Sequence, residues 1–138
     1  MKNNLETLSN AKEAIASLPK PYQSIDDEFL KTHADAIDTL KEAYADKGGI
    51  HLLRTDEGDA VIVRVPSSQI LKKSRKDVER IKDPIEQDLA LLTDCLLYPE
   101  PAVVRQWIDT GSPGIASTYS RKLLELSKTV VEVEAKKL

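Results

Sequence analysis

Cysteine, histidine, glycine and aromatic residues are all scarce in this chain, and each scarcity closes off a class of protein. The single cysteine, Cys95, cannot form a disulfide within the chain, and two histidines beside it are too few for the usual Cys/His zinc cluster. The five glycines, Gly48, Gly49, Gly58, Gly111 and Gly114, are scattered among expected turns, so no glycine-rich phosphate loop is present. No apolar run approaches the roughly 18 residues of a membrane span, and the N-terminus lacks an apolar signal stretch, so a cytoplasmic location without a membrane partner is expected. Lys and Arg number 20 against 23 Asp and Glu, a net charge of −3. That is not the basic excess that phosphate-driven binding requires, and nucleic acid is not an expected partner.

What remains is 138 residues, 41% of them apolar and 31% charged, enough for one compact domain or a domain with a helical arm. With one tryptophan, one phenylalanine and four tyrosines, the core falls to Leu, Ile, Val and Ala, a composition that suits packed helices. Residues 3–18 space Leu5, Leu8, Ala11, Ile15 and Leu18 as a short helix that Pro19 and Pro21 end. A helix of that length is marginal alone, so residues 1–22 read as an arm that the body or a partner must hold, ahead of a single α+β domain over 23–138.

The next helix is expected to begin at Ser24, with Asp26, Asp27 and Glu28 at its positive end, and to stop at Gly48–Gly49. Its stripe is Phe29, His33, Ala36, Ile37, Leu40 and Tyr44. Residues 50–65 then read as a hairpin, with Val61, Val63 and Val65 on one face and Ile62 and Arg64 on the other. Because two strands seldom persist alone, residues 129–134, which alternate, are a candidate third strand, or equally the frayed end of a helix. Residues 67–82 form a basic amphipathic helix with Ile70, Leu71, Val78 and Ile81 as its apolar side. Asp83, Pro84 and Glu86 open another helix whose core residues are Ile85, Leu89, Leu92 and Leu96. A short helix with Val103, Val104, Trp107 and Ile108, and a last one with Ile115, Tyr119, Leu123 and Leu126, complete a C-terminal bundle of short helices. The expected fold is therefore α+β and mostly helical.

Chemistry is thinly signalled. His33 on an apolar face reads as a structural histidine, His51 as a half-exposed strand residue, and Cys95, beside Leu96 and Leu97, as a buried inert thiol. The acidic clusters at 26–28 and 56–59 suit a helix start and a hairpin loop, without EF-hand spacing. No catalytic residue, cofactor or metal is expected. Residues 72–82 carry six basic and two acidic groups, a solvated helix face or a local patch for an acidic partner or RNA, but no aromatic residue for base stacking. Trp107 and Tyr98 are contact candidates on chemical type, with core packing as the plain alternative.

The second half carries a composite pattern. Asp94-Cys95-Leu96-Leu97-Tyr98-Pro99 is followed by a short helix with Trp107, by Ser112-Pro113-Gly114-Ile115, and by Leu123-Leu124-Glu125-Leu126-Ser127, and upstream stands Val65-Pro66-Ser67. This resembles the tail assembly chaperones of long-tailed bacteriophages, over residues 50–130 in layout and 95–127 in wording. The resemblance implies a non-enzymatic function: transient binding to the helical tape-measure protein, keeping it soluble in the host cytoplasm while tail tube protein polymerises around it. Apolar stripes on such a client suit helix-in-groove packing. Many relatives end in a flexible acidic tail or gain a longer form by ribosomal frameshifting, whereas residues 130–138 are short and of mixed charge. On this reading the partner contacts are Leu5, Leu8 and Ile15 of the arm, with Tyr98, Trp107 and Tyr119. Two other classes stay open: a virion structural or regulatory module that forms a homo-oligomer through the hairpin edge, and a small nucleic-acid-binding factor using residues 72–82.

Overall fold

Ala60-Val61-Ile62-Val63 is a run in which every side chain is buried, and such a strand needs cover on both faces. The computed structural model, which describes residues 4–56, 59–127, 135 and 137, supplies that cover from both halves of the chain. Strand β1 (Ile50–Arg54) pairs antiparallel with β2 (Ala60–Arg64), Leu52 opposite Ile62, and the Thr55 amide donates to the Asp59 carbonyl across the loop. This is the hairpin expected at 50–65.

The third strand is not where the alternation at 129–134 suggested; those residues lie outside the described ones. It is β3 (Leu96–Tyr98), antiparallel to the other edge of β2, so that the sheet order is β1-β2-β3. The helical stripe read through Leu96 stops one residue earlier, because Pro99 drives Tyr98 toward extended backbone and β2 offers a ladder to pair with. Ile62 pairs with Tyr98 and Val63 with Leu96, leaving Leu97 as a bulge residue. Leu97 and Tyr98 therefore enter the same core, while Leu96 packs on the opposite one.

One core lies between the sheet and α1 (Asn4–Ser17), α2 (Asp27–Thr32) and α3 (Ala34–Tyr44). It gathers Ala11, Ala14, Leu18, Phe29, Leu40, Ala60 and Ile62. The other lies between the sheet and α5 (Pro84–Cys95), α6 (Pro101–Thr110) and α7 (Ile115–Ser127), around Leu53, Val61, Val63, Leu92, Val104 and Leu123. The result is a mostly helical α+β fold of seven helices among the described residues, in three layers. Of the two ways to hold the first helix, the body does so: Leu18 is fully buried, worth about 1.5–3 kcal/mol, and Ala11 and Ala14 pack with it.

Three local expectations are corrected. The helix after residue 24 is two helices: Asp26, not Ser24, accepts the Phe29 amide as N-cap, and the backbone breaks at His33 (φ −109°, ψ 25°). The break lets Phe29 meet Tyr98 while α3 lies along α1. The basic helix α4 (Ser68–Arg80), capped by Ser67, leaves Val78 54% exposed and buries Asp77 instead. Its seat is polar because Lys73 bridges to Asp94 on α5, and Gln87 of α5 donates to the Val78 and Ile81 carbonyls. Glu86 does not close a capping box; Arg105 of α6 takes both its oxygens, at 2.9 and 2.7 Å, and holds its carboxyl below the usual range.

Candidate functional site

The six residues expected at a partner contact divide into two groups. Tyr98 and Tyr119 are interior, and their hydroxyls are spent on backbone. Tyr98 Oη donates to the Pro19 carbonyl at 2.8 Å and accepts from the Gln23 amide at 3.0 Å, so β3 is tied to the proline-rich segment after α1. Tyr119 Oη donates to the Asp59 carbonyl and ties α7 to the hairpin; burial pushes its phenol up to about 12. Neither side chain offers a partner any surface while these bonds stand. The reason is composition: a chain with so few aromatic rings uses them where one apolar body with a polar tip can join two elements.

Trp107 is half-buried on α6, edge-on to Tyr22 at 5.0 Å between ring centroids. Tyr22 also stacks on Tyr98 at 5.6 Å, and Tyr98 lies 5.5 Å from Phe29, whose ring meets His33 at 4.7 Å. This row of five rings joins both cores. Tyr22 was not singled out in the sequence. Its hydroxyl donates to the Ala60 carbonyl and accepts from the Ala60 amide, satisfying the start of β2, and an aromatic residue directly after the Pro19-Lys20-Pro21 breaker was the one signal that could have marked it.

Leu5, Leu8 and Ile15 behave differently. At about 100° per residue, Ala11, Ala14 and Leu18 point into the body, and Leu8, Leu5 and Ile15 fall on the adjoining flank. Leu5 is 79% exposed and Leu8 47%, while Ile15 is partly buried at the rim of the first core. The flank is an apolar side of a helix with no cover among the described residues.

A second apolar feature borders β1. Since Thr55 N–H points at Asp59, ladder alternation turns the N–H and C=O groups of Leu53 and His51 toward β2 and those of Ile50, Leu52 and Arg54 outward. Beside that edge runs a groove of about 320 Å³ whose apolar lining includes Leu30, Ile37, Ile50 and Leu52, with Asp38 and Lys41 at its rim. Leu52 is 39% exposed.

A third feature is a charged cleft of about 640 Å³ where α4 starts, lined by Lys47, Arg64, Ser67, Gln69, Lys73 and Asp94. Lys73 bridges to Asp94 at 2.8 Å and to Asp77 at 2.9 Å, and Arg80 reaches the other Asp77 oxygen at 2.9 Å. The Arg64 guanidinium lies over the Tyr44 ring, 4.9 Å from its centroid.

The remaining residues of interest are quiet. Cys95 is fully buried, and desolvation raises its thiol to about 12. His51 Nε2 lies 3.2 Å from the Gly48 carbonyl. Among the described residues no group of three or more His, Cys, Asp or Glu side chains is placed to hold a metal ion, and no helix is long and apolar enough to cross a membrane. Comparisons with protein-family models, with curated proteins and with solved structures return no match.

Proposed function

We propose that this chain acts without making or breaking a covalent bond, as an assembly chaperone. Its client is the tape-measure protein of a long-tailed phage, kept soluble until tail tube protein encloses it. The observation that carries the reading is the flank of α1: Leu5 and Leu8 stand 79% and 47% exposed on a helix whose other side is docked. A client helix with its own apolar stripe covers such a flank by side-by-side packing. The wording of residues 95–127 supplies the client's identity, and the flank supplies the means.

Co-expression tests it. The chain raises the soluble fraction of the long tape-measure product encoded in its gene neighbourhood, and the double variant Leu5→Asp, Leu8→Asp loses that effect. Because both side chains are exposed, the variant keeps the parent's thermal midpoint, each change being worth no more than about 0.5 kcal/mol. An unchanged soluble fraction with the parent chain overturns the reading.

A second reading rests on a different observation. The outward hydrogen-bonding groups of β1 and the groove beside them are a template for strand addition, which favours self-association through the hairpin edge. A stable oligomer that ignores the tape-measure protein, and that Leu52→Lys dissociates, selects this reading.

A further inference from the structure

The charged cleft at the start of α4 belongs to neither surface above. Its charges are unbalanced in a definite way. Lys73, Arg80, Asp77 and Asp94 form a closed, neutral network of three ion pairs. Lys47 and Arg64 stand outside it, and no carboxylate of the described residues lies within ion-pair distance of either. Two positive charges thus line one concave surface uncompensated. Each comes from a different element, Lys47 from the 3₁₀ turn Ala45–Lys47 and Arg64 from the end of β2.

Arg64 Nε is, in addition, buried with no hydrogen-bond acceptor among the described residues. A buried guanidinium N–H of this kind is costly unless something accepts from it. The Tyr44 ring covers one face of the guanidinium and restricts its rotation, and because Nε is itself closed off, donation to an oxyanion in the cleft falls to the two Nη groups. The first turn of α4 lines the same cleft through Ser67, Gln69 and Ile70; Ser67 Oγ takes the Ile70 amide, and the Ser68 and Gln69 amides are left without intrahelical acceptors.

We propose that this cleft binds a phosphomonoester dianion, held by the Arg64 Nη groups and Lys47 and bordered by the first turn of α4. Charge decides the class. A dianion balances both cations, a carboxylate leaves one over, and a phosphodiester carries a single charge. The site is independent of the α1 flank, so a chain that binds no tape-measure protein still has it.

The test is titration of the ¹⁵N-labelled full chain with methyl phosphate at constant ionic strength. Saturable amide shifts are expected at Lys47–Gly49 and at residues 64, 65 and 67–70. Arg64→Gln weakens the affinity at least tenfold. Lys47→Ala, an exposed turn residue whose change leaves the fold intact, weakens it at least threefold. Affinity for methyl phosphate rises between pH 5 and 7, as the second proton leaves near pH 6, whereas sulfate, dianionic throughout, binds with no such slope. N-acetylphosphoserine methylamide binding more tightly than methyl phosphate places the ester on a protein side chain; equal binding makes the phosphate group the whole of what is read. Acetate binding as well as methyl phosphate overturns the dianion assignment. Shifts spread along Lys72, Arg75 and Lys76, or an affinity indifferent to Lys47→Ala, overturn the site.

Discussion

At Asp77 a helix with a strongly basic surface keeps its single buried charge. Lys73 first, then Arg80, holds the Asp77 carboxyl below its ordinary range, and Asp94 and Asp77 together raise the Lys73 ammonium. The partners are well exposed, with side-chain accessibilities of 53% for Lys73 and 71% for Arg80, so screening takes much of the Coulomb energy. What remains is the pair of charge-assisted hydrogen bonds to a carboxylate that folding has desolvated. Asp77→Asn is therefore expected to lose about 1–2 kcal/mol at pH 7, read from urea unfolding. A folded value below the unfolded one means that the stabilisation is full above the ordinary carboxylate range and is lost as pH falls through the depressed value. The gap between parent and variant accordingly narrows at pH 3.5. A gap that stays constant from pH 7 to 3.5 would show that the carboxylate's charge contributes nothing.

The turn from α3 into β1 shows how an element is positioned. Gly48 (φ 91°) and Gly49 (φ 77°) both occupy the left-handed region, which costs a residue with a side chain about 1–2 kcal/mol. They differ in space. A Cβ on Gly48 would stand 2.9 Å from Val65 Cγ2 and 3.0 Å from its Cβ, whereas nothing lies within 4 Å of one on Gly49. Gly48→Ala is expected to destabilise by about 1 kcal/mol more than Gly49→Ala in the same unfolding assay, the excess being the displacement of Val65. Equal losses would mean that Val65 yields without cost. Local signals of this kind made much of the fold legible: Gly48–Gly49, the Asp83 cap, the alternation of 60–65 and the stripe Ile115, Tyr119, Leu123. What was not legible was decided by packing between distant segments. The break at His33 interrupts an unbroken apolar stripe, and β3 borrows Leu96 from a helical spacing because β2 has a free side. Asp77 is buried in a polar seat at the edge of the expected apolar face of α4, while Val78 on that face stays exposed. At the candidate surfaces, Leu5, Leu8 and Ile15 were found by helical spacing. The hairpin edge was named, but not that β1 is the open one or that Leu52 borders its groove, and Arg64 was missed because a buried, acceptor-free Nε cannot be seen before the sheet order is known.

For the molecule as a whole, the consequential feature is that both cores share β2. Ile62 and Ala60 serve the core with α1 to α3, and Val61 and Val63 serve the one with α5 to α7, all within a few residues of backbone. The row of rings from His33 to Trp107, the Tyr98 bonds to Pro19 and Gln23, and the Tyr119 bond to Asp59 cross between the halves. Neither half keeps a complete sheet face if the other melts, so the chain is expected to unfold as one cooperative unit. Ile62→Ala removes a side chain 3% exposed from the first core alone, at about 2–4 kcal/mol. Under shared unfolding, residue-resolved hydrogen exchange then shows the slowest amides of α3 and of α7 losing protection by the same amount, although no atom has been removed from the core that α7 covers. Loss confined to α1, α2 and α3 would mean that the sheet separates two independent units. A client that grips the α1 flank would in that case stabilise only the half it touches.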